Sequence, residues 1–472
     1  MESLATSALN SDIYDIVLSM IESRKDVLAA MSTCRTLYAA GIQPLIRFPT
    51  VITERDIRSY HAFMNAHAPM SFMALRSLRV VVRGPLSESD LSLILDLLER
   101  GTNLRQLDMP SEVMDMEDGS ISDAISALTK LEELHLRDGE FESVAVILAE
   151  LEAPLVSLEA VFADYPWDDT TYLLANFRQT LEKARLNRAT FEDAVFSYPK
   201  LVDLEVSVDD VPSLSVLTAV FPNLEKLVIE GGRSMEFEEL QELRLENISF
   251  QQGDHKLWTS LKSLIGDLRP LYAMGFQREV YSLHILPGTV KFTEEDMSCF
   301  QDVLSTTKAQ NLTVTLQDKP NFLSRMFDGL RRPLMQFELG LLLCNTAGYE
   351  RTLDALIRGL ARVHALLLIL KIKAMDIRRL RGQPDTGPHP AIAFTRTLDQ
   401  KALIERVGDS MAMVGMIVLN IEGSPLTMWM KRDVEGGEGE TRVWAQASLT
   451  EMVNGGFASI VQRLESGRAP NR

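Results

Sequence analysis

Two stretches in the first half of the chain share one spacing of apolar residues, LRQLDM (Leu104–Met109) and LEELHL (Leu131–Leu136). In each, an apolar residue is followed by two variable residues, a leucine, one variable residue and a second apolar residue. Alternate side chains of an extended strand point to opposite faces, so this spacing buries the central leucine and exposes the residues beside it. Each stretch therefore predicts a short β-strand with one buried face.

The same pattern recurs along most of the chain. Its other copies are LRSLRVVV (Leu75–Val82), LVSLEAVF (Leu155–Phe162), LVDLEV (Leu201–Val206), LEKLVI (Leu224–Ile229), LQELRL (Leu240–Leu245), VYSLHI (Val280–Ile285), LMQFEL (Leu334–Leu339) and VHALLL (Val363–Leu368). From Leu78 through Leu107 and Leu134 to Leu158, the central leucine advances by 29, 27 and 24 residues. Steps of this size are typical of leucine-rich repeats, which measure about 20–29 residues.

Helices are predicted between the strands. Ser87 and Asp90 form an N-terminal cap, and Gly101 is placed to end the helix that follows. Thr293–Asp296 opens a second helix, and Tyr349–Leu360 is predicted as a third. A strand–helix unit cannot bury its own apolar face, so the units must stack. The sequence therefore predicts an α/β fold, a horseshoe solenoid of parallel strands with outer helices.

Both ends of the chain depart from the repeat. Helices are predicted over Asp12–Ile21 and Lys25–Ala40, with apolar residues at helical spacing, and Cys34 is expected to lie in that apolar stripe. After the repeats, residues 434–441 predict an acidic loop and Val443–Leu464 a closing helix. The predicted domains are a helical segment over residues 1–48, a degenerate repeat array over 49–432, and the acidic loop with its capping helix over 433–472.

Composition excludes several classes of function. The chain has 472 residues, of which 46% are hydrophobic and 24% charged, and its net charge is −18. Residues 86–170 hold 21 acidic and four basic residues, a net of 17 negative charges. Such a surface disfavours general nucleic-acid binding, which needs clustered cations. Three dispersed cysteines argue against a disulfide framework and a Cys-x-x-Cys zinc site.

Motifs of known chemistry are absent from the sequence. The seven histidines form no HExxH pattern, and neither a phosphate-binding glycine loop nor a GxSxG nucleophile motif occurs. We therefore expect no catalysis, no cofactor and no metal, with an enzyme of unrecognised type as a remote alternative. No apolar run approaches the 20 residues of a membrane span, so we expect no membrane partner and a cytoplasmic protein. The basic run Lys371–Arg381 leaves nuclear import as an alternative.

Two segments near the N-terminus and two of the repeats resemble a known protein family. LNSDIYDIVLSMI (Leu9–Ile21) with RKDVLAAMSTCRTLYAAGIQPLIR (Arg24–Arg47) resembles an F-box, although Asn10 and Thr33 stand where the family has Pro and Val. YPKLVDLEV (Tyr198–Val206) and FPNLEKLVI (Phe221–Ile229) resemble the leucine-rich repeats of F-box proteins.

This resemblance implies a substrate-recognition subunit of a cullin–RING ubiquitin ligase, which binds the ligase's adaptor subunit and, through it, the cullin. The implied adaptor-binding residues are Leu9, Ile13, Ile16, Val17, Met20, Val27, Met31 and Cys34. The alternative is a leucine-rich-repeat scaffold without a ligase role, whose N-terminal helices only cap the repeats.

Variable positions in and beside the strands predict where a protein target binds. These residues are Arg105, Asp108, Glu133, His135, Arg137, Asp203, Glu205 and Lys226. Because the surrounding segment is strongly acidic, we expect the target to present a basic segment.

Overall fold

The computed structural model describes residues 11–82, 84, 86–110, 113–114, 119–137, 141–162, 169–232, 234–253, 257–286, 292–344, 347–374, 389–433 and 442–447. The chain forms two compact units. The first comprises Met1–Pro212 and Val216–Leu224, and the second Ser213–Ser215 and Glu225–Arg472. Both are α/β, which confirms the predicted class, and within each unit neighbouring strands follow chain order. The horseshoe form, the domain boundaries and the F-box assignment stay predictions.

The first unit contains seven parallel strands in its described residues. They are β1 (Thr50–Thr53), β2 (Ser77–Val81), β3 (Gln106–Pro110), β4 (Glu133–Arg137), β5 (Ser157–Val161), β6 (Lys183–Asn187) and β7 (Asp203–Val208). One buried residue of each strand from β2 to β7 is in register with its counterpart on the next strand. We call these residues the central column: Leu78, Leu107, Leu134, Leu158, Ala184 and Leu204. The repeat's central position thus forms the core, as its spacing predicts.

One strand of the first unit escapes the simple leucine pattern. In β6 the central position is Ala184, within LEKARL (Leu181–Leu186), and its Cα pairs with Leu158 on one side and Leu204 on the other. The 46-residue step between those two leucines therefore spans two repeats. Two 3-10 turns, Thr170–Tyr172 and Ala175–Phe177, lie between β5 and β6.

The first unit also contains helices, the first three of which precede β1. They are α1 (Ser11–Ser19), α2 (Arg24–Met31), α3 (Arg35–Arg47), α4 (Ile57–Ala66), α5 (Met70–Ala74), α6 (Glu88–Arg100), α7 (Ser120–Ser126) and α8 (Phe141–Glu150), while α9 (Leu214–Val220) includes residues of both units. The predicted caps of α6 are confirmed. The Ser87 side chain accepts a hydrogen bond from the Asp90 N–H, and Gly101 follows the last helical residue.

The prediction of one helix over Lys25–Ala40 is wrong, because the chain breaks between α2 and α3. The Ser32 and Thr33 hydroxyls donate to the carbonyls of Ala29 and Ala30 at 2.7 and 2.8 Å. Such local bonds compete with continued helix. Cys34 then adopts an extended conformation with φ −157° and precedes α3.

The second unit contains nine strands in its described residues. They are β8 (Lys226–Gly231), β9 (Ser263–Gly266), β10 (Glu279–Ile285), β11 (Lys308–Gln317), β12 (Leu334–Leu343), β13 (Ala365–Ala374), β14 (Met416–Ile421), β15 (Thr427–Asp433) and β16 (Arg442–Gln446). Pairing is parallel from β8 to β14 and antiparallel for the last two pairs. Its helices are α10 (Phe237–Gln252), α11 (Leu268–Met274), α12 (Glu294–Thr306), α13 (Pro320–Leu323), α14 (Tyr349–Leu360), α15 (Pro390–Thr397) and α16 (Gln400–Ser410).

The prediction of a strand at Leu240–Leu245 is wrong, because this stretch lies inside α10. A reciprocal capping box between Glu236 and Glu239 starts the helix, and its residues are mostly strong helix formers. Leu245 is 68% exposed, which a repeat strand would not allow. The missing strand is β9, whose central residue Leu264 is buried.

The predicted closing helix is also wrong where the structure describes it. Arg442–Gln446 forms β16, and the Trp444 side chain packs on Gly408, where a Cβ would approach the indole nitrogen to 2.2 Å. The rest of that predicted helix and the acidic loop at residues 434–441 lie outside the described residues.

Burial of the central column predicts that truncating one of its leucines costs much more stability than truncating the more exposed residue beside it. We expect Leu134→Ala to lower the free energy of unfolding by about 3 kcal/mol, since a fully buried leucine loses packing and leaves a cavity. The neighbouring Glu133→Ala should change it by less than about 0.5 kcal/mol. Urea denaturation followed by circular dichroism measures both, and equal effects would contradict the assignment of the buried face.

Candidate functional site

A row of charged side chains crosses the first unit beside the central column. Its members, which we call the charged row, follow the central residue of each repeat directly: Arg79, Asp108, His135, Glu159, Arg185 and Glu205. Each is in register with the next, from β2 to β7. Alternation along the strands places this row on the face opposite the buried leucines.

Asp108 joins two guanidinium groups at one end of the row. Its Oδ2 lies 3.1 Å from Nε of Arg79 on the preceding strand and 2.9 Å from Nη2 of Arg137 on the following strand. The Asp108 side chain is half-buried, whereas both arginines are more exposed. One carboxylate thus holds two cations against the sheet.

Glu159 has the same role further along. Its Oε2 lies 2.8 Å from Nδ1 of His135, and its Oε1 lies 3.5 Å from Nη1 of Arg185, which also reaches Oε1 of Glu205 at 3.0 Å. Hydrogen bonding to His135 lowers the pKa of Glu159, with a further lowering by the Arg185 charge, while burial opposes both. The carboxylates of the row therefore alternate with basic side chains, and neighbouring members pair with one another.

The structure brings together four of the eight predicted target-binding residues. Asp108, His135 and Glu205 belong to the charged row, and Arg137 contacts it. Arg105 precedes β3 and pairs with Glu132 at 2.8 Å instead.

The other three residues lie elsewhere. Glu133 begins β4, in register with Gln106 and Ser157. Asp203 begins β7, in register with Lys183. Lys226 belongs to β8 of the second unit. These positions form the start of their strands and are not part of the charged row.

Three members of the row were missed by the sequence analysis, namely Arg79, Glu159 and Arg185. A signal was present, because each directly follows the central residue of its repeat. Aligning the repeats on that residue produces the whole row. The row holds three carboxylates, two guanidinium groups and one imidazole, so the acidic excess of residues 86–170 is not concentrated in it.

A second surface is formed by α1. Three predicted adaptor-binding residues are exposed on it, namely Ile13 (43%), Ile16 (55%) and Val17 (53%), and a fourth, Met20 (74%), is exposed directly after its last residue. Leu18 on the same helix is buried and anchors α1 in the first unit. We call these four side chains the α1 apolar patch.

The other predicted adaptor-binding residues differ in their exposure. Val27 and Met31 are buried, and Met31 packs where α3 has Gly41, at which a Cβ would lie 2.2 Å from the Met31 Cγ. Cys34 is exposed, so its expected place in the apolar stripe is wrong. The backbone N–H of Leu37 lowers the pKa of its thiol. Leu9 lies outside the described residues.

Asp169, part of an acidic cluster near β5, has a structural role. Its side chain is buried, with Oδ1 accepting from the Thr171 N–H at 2.7 Å and Oδ2 from the Asp193 N–H at 3.1 Å. These bonds fix the turn that leads into the first 3-10 segment.

Comparison with known proteins does not identify a function for either surface. No protein-family model matches the chain, and no curated protein is significantly similar to it. In the described ranges, no three His, Cys, Asp or Glu side chains are placed to share a metal ion. None of the helices there has the length and apolar composition that crossing a bilayer requires.

The two ion pairs of Asp108 predict how much the charged row contributes to the free energy of unfolding. In Asp108→Asn, Arg79 and Arg137 lose their shared counter-charge, and we expect the free energy of unfolding to fall by about 1 kcal/mol. Glu133→Gln, two residues from the row on β4, is the matched control and should cost less than about 0.3 kcal/mol. Urea titrations of both variants decide between a coupled row and independent surface charges; equal costs would show the latter.

The lowered pKa of Glu159 predicts a dependence of stability on pH. A carboxylate with a depressed pKa in the folded state stabilises the protein above its unfolded-state value, here 4.5, and this contribution is lost as the pH falls through the folded-state pKa. We expect Glu159→Gln to shrink the stability difference between pH 6 and pH 3 by about 0.5 kcal/mol. The exposed Glu150→Gln should leave that difference unchanged; a similar change in both variants would contradict the role of Glu159.

Proposed function

We propose that the chain is the substrate-recognition subunit of a cullin–RING ubiquitin ligase. The α1 apolar patch would bind the adaptor subunit, and the exposed strand face of the first unit would bind the protein to be ubiquitinated. The chain itself catalyses nothing in this scheme. It raises the effective concentration of the target beside the conjugating enzyme.

The exposure of the α1 apolar patch carries the proposal. A helix that only capped the repeats would turn its apolar side chains inward, yet Ile16, Val17 and Met20 are all more than half exposed. Several aliphatic side chains at helical spacing are what a partner groove requires in helix-in-groove binding. Clustered apolar exposure of this kind marks an interaction surface.

Because Val27 and Met31 are buried, we expect α2 to have a different role from α1. Because Met31 of α2 packs against α3 and Val27 is buried as well, we expect α2 to contribute less to the adaptor contact than α1 does. Among the described residues, the proposed adaptor-binding set is therefore narrowed to the exposed ones, which are Ile13, Ile16, Val17, Met20 and Cys34.

The charged row suggests how a target would be recognised. Each carboxylate already has a cationic partner, so a basic target segment gains by exchanging these pairs and by reaching acidic residues beside the row, such as Glu133. Ion pairs between the target and the row would increase specificity and the association rate more than the affinity. Binding should therefore weaken as salt shortens the screening length below about 8 Å.

The adaptor-binding proposal is tested by placing charge on the patch. In Ile16→Asp with Val17→Asp, two carboxylates would be desolvated in the groove, and we expect adaptor affinity to fall at least 100-fold. Because both side chains are exposed, circular dichroism and the urea midpoint should stay unchanged. Calorimetry with the purified adaptor subunit measures the affinity.

Met335→Asp provides the matched control, since Met335 is 59% exposed on β12 of the second unit. It should bind the adaptor as the unmodified chain does. Failure of the unmodified chain to bind adaptor at micromolar concentration would overturn the ligase role. That result would favour the scaffold without a ligase role.

A further inference from the structure

The second unit contains a cavity of about 350 Å³ that the proposed ligase role does not use. It lies where four neighbouring parallel strands end: Gly231 closes β8, Asp267 follows β9, Leu286 follows β10 and Gln317 closes β11. The cavity is therefore bordered by the segments that leave the carboxyl ends of these strands. Concave, mostly apolar cavities with a few polar groups are typical of small-molecule sites.

Apolar side chains form most of its wall. They include Leu286, Phe292, Phe300, Leu316, Phe322 and Met326. The Phe292 ring meets Phe322 edge-to-face at 5.4 Å between centroids, and Phe300 at 6.3 Å. This space far exceeds the voids that close packing leaves in protein interiors. A volume of this size lies at the lower end of the range of ligand pockets, about 300–1,000 Å³.

Two carboxylates at the cavity are each held by hydrogen bonds to one of their oxygens. Asp267 Oδ2 accepts from the Gly231 N–H at 3.1 Å. Asp296 Oδ2 accepts from the N–H and the hydroxyl of Thr293 at 2.9 and 3.0 Å, within the capping box of α12. These bonds fix the orientation of both side chains.

Two cations at the same cavity are less well satisfied. Lys319 Nζ donates to the Phe292 carbonyl at 3.2 Å and lies 5.8 Å from the Phe322 ring centroid, and no carboxylate of the described residues comes within 4.0 Å of it. Arg269 Nε is 3.8 Å from Asp296 Oδ1, beyond hydrogen-bond distance. Although the four charges sum to zero, Lys319 is the cation whose remaining N–H donors are available to an anionic group of a ligand.

We propose that this cavity binds a compact aromatic carboxylate. Its ring would pack edge-to-face against Phe292, Phe300 and Phe322, and its carboxylate would accept hydrogen bonds from Lys319 Nζ. Edge-to-face contacts favour an aromatic body over an aliphatic chain of equal size. The charge-assisted bond to Lys319 selects an anion over a neutral or cationic analogue.

Calorimetric titration of the full-length chain with 2-naphthoate tests the proposal. We expect saturable binding at one site per chain. 2-Naphthamide and 2-naphthylmethylammonium, which share the ring system, should bind at least tenfold more weakly, and octanoate likewise. Tighter binding of the ammonium compound, equal binding of octanoate, or no binding of 2-naphthoate at millimolar concentration would each overturn the proposal.

Variants locate the site. Lys319→Met should weaken 2-naphthoate about tenfold while changing 2-naphthamide less than twofold, because only the charged contact is lost. Leu286→Trp, which fills the cavity from a half-buried position, should abolish binding of both. Lys401→Met, on the exposed surface of α16, is the control and should bind as the unmodified chain. Unchanged 2-naphthoate affinity in both Lys319→Met and Leu286→Trp, with circular dichroism intact, would place binding elsewhere.

Discussion

Burial of one residue per repeat in a continuous column is the constraint on which the rest of the structure depends. In the first unit, Leu78, Leu107 and Leu134 are in register and excluded from water, and Leu158 and Leu204 extend the series. Each buried leucine side chain contributes about 1.5–3 kcal/mol relative to exposure. No repeat can obtain this burial alone, so strands must stack in register and helices must return the chain to the same end of the sheet.

That register also decides what faces outward. Once a central leucine is buried, the residue after it must point to the opposite face, and parallel pairing places it beside its counterpart on the next strand. Arg79, Asp108 and Glu159 become neighbours of residues 20 to 30 positions away because the leucines beside them are neighbours. The charged row is therefore a consequence of the core, and its ion pairs add specificity to a register that apolar burial has already set.

Departures from the repeat coincide with the surfaces that remain available for binding. At the N-terminus, α1 is anchored by Leu18 and leaves Ile16 and Met20 exposed. In the second unit, phenylalanines line the carboxyl edge of the sheet around a cavity instead of filling it. Both features leave apolar surface uncompensated within the chain, which is the physical basis for expecting partners there.

Local sequence was sufficient for the strands that carry the apolar spacing, such as β3, β4 and β7, for the caps of α6 and α12 and for the span of α14, because each depends on residues within a few positions. It did not predict strands without that spacing, such as β6 and β9. It failed at Leu240–Leu245, where a leucine spacing compatible with a strand is overridden by the capping box of α10. It also could not show that Val27 is buried while Ile16 is exposed. Pairing within the charged row and the cavity at Lys319 required the tertiary structure, because they join residues that only strand register and helix packing bring together.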